Sequence, residues 1–109
     1  MLDAVTITST SEKFDVSKRQ QITIEFICAN HTSGNGVFTV DASNDGTNWI
    51  TGISFRDAKA TASTTWVVSE TLSANGTAGI YVPAGWRYIR AAVAVTTDGI
   101  YTAIMQNGG

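Results

Sequence analysis

A chain of 109 residues has room for one domain, and at that size folding buries roughly 65% of the surface that the unfolded chain exposes. Hydrophobic residues make up 43% and charged residues 15%, with a net charge of −2, a balance too apolar for a disordered chain. The seven Lys and Arg are scattered, with Lys18-Arg19 the one adjacent pair, so the basic stripe that tracks nucleic-acid phosphates is missing and no nucleic acid is expected as a partner.

The opening segment MLDAVTITST has no basic stretch leading into an apolar one and does not read as a secretory signal. No later run approaches the roughly 18 apolar residues that cross a bilayer, so no membrane is expected and synthesis in a cytosol is. Alternation over Ala4 to Ser9 predicts a first strand. Met1 to Thr10 as a whole reads either as an ordinary edge strand or as an arm that adds to a neighbour's sheet, with Val5 and Ile7 setting the register.

Gln20 to Cys28 predicts a second strand, with Ile22, Ile24, Phe26 and Cys28 on one face. Phe38 to Ile50, FTVDASNDGTNWI, writes a hairpin: Phe38, Val40 and Ala42 alternate with Thr39, Asp41 and Ser43, and Asn44-Asp45-Gly46 offers positive φ angles. Its return is predicted over Asn48 to Phe55. Further strands are expected over Thr64 to Leu72, Gly79 to Val82, Arg87 to Val95 and Ile100 to Gln106. Pro83 lacks a ladder donor and should end its strand, while KATASTT, Lys59 to Thr65, reads as a polar loop that a neighbour could order. About eight short strands at this spacing, with helical periodicity nearly absent, predict a single all-β domain over residues 1–109: an antiparallel β-sandwich with Ile22, Ile24, Phe26, Phe38, Val40, Ile89 and Val93 in its core.

Catalytic and metal chemistry find little support. Cys28 and His31 have a metal-ligand spacing, but a structural zinc needs four N or S ligands and the chain has no other Cys or His. Cys28 reads as a buried thiol, and His31 as an exposed loop residue. Asp41, Ser43, Asp45 and Gly46 spell the first half of a calcium loop, but Gly52 stands where the bidentate carboxylate belongs. With one imidazole and no nucleophile elbow, no catalytic residue is identified, no cofactor is expected, and the chain reads as a non-enzyme. The three indoles, Trp49, Trp66 and Trp86, are the residues most open to function, because exposed tryptophans stack on sugars and anchor protein interfaces.

F-x-V-x-x-S-x-D-G-x-x-W from Phe38 to Trp49, then Trp86-Arg87-Tyr88-Ile89-Arg90 and Gly99-Ile100-Tyr101, resembles small jelly-roll β-sandwich proteins of tailed bacteriophages, including capsid decoration or cement proteins and related virion modules. The resemblance covers Phe38 to Gln106, nearly two-thirds of the chain. It implies a jelly-roll-like structural protein on the virion's capsid surface, made in the bacterial host cytoplasm. The major capsid protein would be its partner, and self-association as a trimer is implied as well. Val5, Ile7, Trp49, Trp66 and Trp86 are then the candidate interface. S-x-D-G-x-x-W and R-Y-I-R also resemble discoidin-like domains, which implies the alternative of a carbohydrate-binding module, including one carried by a phage tail or fibre. The bracketing cysteines of secreted discoidin domains are missing here.

Overall fold

The computed structural model describes residues 1–57 and 66–105. Among them lie eleven strands and no helix: β1 (Leu2–Val5), β2 (Ser9–Thr10), β3 (Phe14–Asp15), β4 (Ile22–Ala29), β5 (Gly36–Ser43), β6 (Phe55–Asp57), β7 (Trp66–Val67), β8 (Glu70–Leu72), β9 (Gly76–Val82), β10 (Tyr88–Val95) and β11 (Ile100–Met105). One antiparallel sheet has the order β1-β11-β4-β9-β6-β7. The other has the order β2-β10-β5-β8, with β3 also paired to β10. Period-two strands give each sheet one apolar face, and the two faces pack together as a β-sandwich.

All seven residues expected in the core are at most 1% exposed, and Cys28 is buried beside them. Phe26 of the six-stranded sheet stacks on Phe38 of the other, with ring centroids 4.3 Å apart and planes 16° from parallel. Phe55 meets Phe26 edge-on at 6.3 Å, and Tyr101 meets Phe38 edge-on at 5.9 Å. Tyr101 also explains a glycine. A Cβ built on Gly36 would lie 2.3 Å from its ring, so this strand position has space for hydrogen alone.

Four strand expectations change. The stretch from Ala4 to Ser9 is not one strand: β1 begins earlier, pairs with β11 and carries a register irregularity, with Ala4 at φ 51°, and the chain then crosses to the other sheet as β2. The hairpin's return is shorter than Asn48 to Phe55 implies. Ile50 makes a single bridge with Ala42, Ile53 donates to the Val40 carbonyl at 2.8 Å, and the chain leaves to join the opposite sheet as β6, next to β9. Two causes are visible: β8 already occupies the Gly36 to Phe38 part of that β5 edge, and the Gly52 N–H goes to the Asp41 carboxylate at 3.1 Å instead of to a ladder carbonyl.

The expected strand from Thr64 to Leu72 is divided, since β7 pairs with β6 in one sheet and β8 with β5 in the other. Its first two residues, the whole Lys59 to Thr65 loop, and Gln106 lie outside the described residues. β9 starts at Gly76, three residues before its expected start, and stops at Val82 as Pro83 requires.

Candidate functional site

The site is built where β5 runs out into the Asn44–Asn48 turn. Asp41 lies on the strand face opposite buried Val40 and Ala42, yet it is itself only 5% exposed. Its carboxylate is compensated on both oxygens. Oδ2 accepts from Arg90 Nε at 2.9 Å, across the β5–β10 ladder in which the two residues are register partners. Oδ1 accepts from Gly52 N. The Arg90 guanidinium lies 4.2 Å from the centroid of the Trp49 ring, a cation–π contact that backs one face of that indole. Asp41, Arg90 and Trp49 thus fix the path of the returning chain.

The turn itself is tied by short polar side chains. Ser43 Oγ donates to Asp45 Oδ1 at 2.9 Å and accepts from Gly46 N at 2.9 Å. Asp45 Oδ1 also accepts from the Thr47 and Asn48 N–H groups, each at 2.8 Å, and Oδ2 accepts from Asn48 Nδ2 at 2.7 Å. The Asn48 and Thr47 N–H groups, followed by the Asn48 and Ser43 side chains, hold the Asp45 carboxyl far below the usual carboxylate range. Only Gly46, at φ 77°, takes the positive φ expected of the Asn44-Asp45-Gly46 run. The D-x-S-x-D-G letters therefore serve as turn caps, with the oxygens of Asp41, Ser43 and Asp45 accepting from the chain's own N–H groups. No group of three or more possible metal ligands occurs among the described residues.

Beside this turn lies a cleft of about 370 Å³, lined by Ser43, Asn44, Asp45, Asn48, Trp49, Ile50 and Trp86. Trp86 enters from the loop before β10, half-buried and packed against the core. Asn44 ties that loop to the turn by accepting from Arg87 N at 3.2 Å. Two of the five expected interface residues, Trp49 and Trp86, are thereby brought to one place.

The other three lie apart. Trp66 is 54% exposed on β7, at one edge of the six-stranded sheet. The Arg56 guanidinium stands 5.4 Å from its ring and 5.7 Å from that of Tyr81. Val5 is at the opposite edge, on β1, half-buried against the core. Ile7, between β1 and β2, is 71% exposed. Met1 to Thr10 pairs within its own chain at both of its strands.

Sequence reasoning missed Asn44, Asn48 and the Asp41–Arg90 pair. A charged residue in the middle of each of two apolar strands was the signal available for that pair. His31 also differs from its expected exposure: it is half-buried, with Nε2 at 2.7 Å from the Gly34 carbonyl oxygen. No protein-family model, curated protein or solved structure matches the chain.

Proposed function

We propose that the protein is a non-enzymatic structural component of a tailed-bacteriophage virion, attached to the outer surface of the assembled capsid as a homo-oligomer, a trimer. One observation supports this reading above the others. Of the five large apolar side chains that are strongly exposed among the described residues, four lie on or beside the six-stranded sheet: Ile7, Trp66, Val68 and Ile104. Exposed large apolar groups on one sheet are a common mark of a protein-binding surface, and Trp is among the residues most enriched at the centre of such surfaces. Among the described residues β1 and β7 are the two edge strands of that sheet, and edge strands are the usual place for a neighbouring chain to add by backbone pairing.

The test is the molar mass in solution, together with addition of the protein to undecorated capsids. Binding at fixed stoichiometry, lost on Ile104→Glu or Trp66→Ala with the melting temperature retained, is the expected result. A strict monomer that ignores capsids ends the proposal.

A second reading, a discoidin-like carbohydrate-binding module of a phage tail or fibre, is favoured by the cleft between Trp49 and Trp86. Glycan binding without capsid binding would select it.

A further inference from the structure

We infer that the cleft between Trp49 and Trp86 is a binding site for one pyranose ring of an uncharged glycan, with Trp86 as the stacking platform and Asn44 and Asn48 as the hydroxyl partners. The ligand class rests on the second reading above and is independent of capsid attachment.

The two amides present opposite hydrogen-bonding ends. Asn44 spends its Oδ1 on the Arg87 N–H, so its Nδ2 donors remain for a ligand. Asn48 spends its Nδ2 on Asp45, so its Oδ1 remains as an acceptor. Their orientations follow from these partners, because a backbone N–H requires an oxygen and a carboxylate requires a donor. Neighbouring hydroxyls, each able to donate and to accept, match one fixed donor beside one fixed acceptor.

The walls are held before any ligand arrives. Trp86 packs against the core. Trp49 is backed by Arg90, which the buried Asp41 holds at 2.9 Å. An indole offered in this way covers the C–H face of a sugar ring at little cost in side-chain order. The volume, about 370 Å³, falls toward the small end of the roughly 300–1,000 Å³ typical of ligand pockets, which suits one ring better than an extended chain.

Charge selects against acidic sugars. Asp45 lines the cleft and stays ionised through the physiological range, since four N–H and O–H donors stabilise its carboxylate. A uronate or sialate would meet it as a like charge.

The experiment presents the intact protein to an array of neutral, uronic and sialylated glycans. The best neutral binder is then titrated calorimetrically against four forms: unaltered protein, Trp86→Ala, Asn44→Asp and Trp66→Ala. Asn44→Asp keeps an oxygen to cap the Arg87 N–H and replaces the donors with an acceptor and a negative charge, so it tests the site even if Trp86→Ala fails to fold. Trp86→Ala should weaken binding at least about tenfold, and Asn44→Asp about fivefold or more. Trp66→Ala should leave it unchanged. Binding lost in Trp66→Ala and kept in Asn44→Asp overturns this inference while leaving the second reading standing. A preference for acidic sugars overturns the assignment of an uncharged ligand, and an array with no binder overturns both the inference and the second reading.

Discussion

The two ends of the sandwich use the same local chemistry and arrive at different surfaces. At one end, the loops after β4, β8 and β10 are stitched together. The Asp98 carboxylate accepts from the Thr32 hydroxyl and from the Thr32 and Ser33 N–H groups, at 3.0 and 3.1 Å for the last two. Asn75 accepts from His31 N at 2.9 Å, and Asn35 and Thr96 bond reciprocally. Tyr101 donates to the Asp98 carbonyl at 2.8 Å, fastening this end to the core.

At the other end, Ser43, Asn44 and Asp45 cap turn N–H groups in the same manner, but the neighbouring loops also contribute two indoles. Short Asp, Asn, Ser and Thr side chains close a loop by satisfying its backbone. Large aromatic side chains added to a closed loop cannot all sink into the core, and a cleft remains between them. The stitched end is closed by hydrogen bonds to its own backbone, and the other end also carries the cleft lined by Trp49 and Trp86.

The largest effect should come from a residue that serves both ends. Phe38→Ala removes the ring that stacks on Phe26 and meets Tyr101, and should cost about 3–5 kcal/mol in urea unfolding. Both ends should then lose hydrogen-exchange protection together.

Gly36→Ala separates the ends. Its Cβ would press on the Tyr101 ring from 2.3 Å, for an expected cost of about 1–3 kcal/mol. Amides of Thr32, Ser33 and Asn35 should exchange faster, while those of Gly46, Thr47 and Asn48 keep their rates. Equal acceleration at both ends would mean that Tyr101 does not set the stitched end apart.

Asp41→Ala is the converse perturbation. It deprives Arg90 and Gly52 N of their acceptor and should cost about 1–3 kcal/mol. Trp49 loses its backing, so its fluorescence should shift while the amides of Thr32 and Ser33 are unaffected.

Acid should act most gently, and at both ends. The Thr32 hydroxyl, with the Ser33 and Thr32 N–H groups, lowers the Asp98 carboxyl from the ordinary 3.8 to about 2, and Asp45 is lowered further by its own donors. A carboxyl whose value is lower in the folded state than in the unfolded state stabilises the fold above the unfolded value. That contribution is complete above about pH 4 and fades as pH falls through the folded values. Melting temperatures should therefore decline from pH 4 toward pH 2. Asp98→Asn should flatten the part of that decline that tracks the Thr32 and Ser33 amides.

The sequence by itself determined the period and therefore the architecture. Alternation placed Ile22, Ile24, Phe26, Phe38, Val40, Ile89 and Val93 on inward faces, and all of them are buried. Pro83 marked the end of β9, and Gly46 made the turn after β5. These features depend on a residue's own φ preference or on its neighbours one and two places away, which a sequence displays directly.

Partner choice belonged to the tertiary structure. The return from the turn makes one bridge at Ile50 and then changes sheets, because β8, 20 to 22 residues farther along the chain, takes the Gly36 to Phe38 part of the β5 edge. Met1 to Thr10 divides between two sheets according to the edges that β11 and β10 leave open. Trp49 and Trp86 share a cleft, and Trp66 stands apart on an edge strand, although nothing local distinguishes the three indoles. Asp41 and Arg90 meet only because β5 and β10 pair in the register that sets them opposite each other. Such contacts are fixed by which strand edges remain unpaired and which surfaces remain uncovered, quantities that exist only once the whole chain has folded.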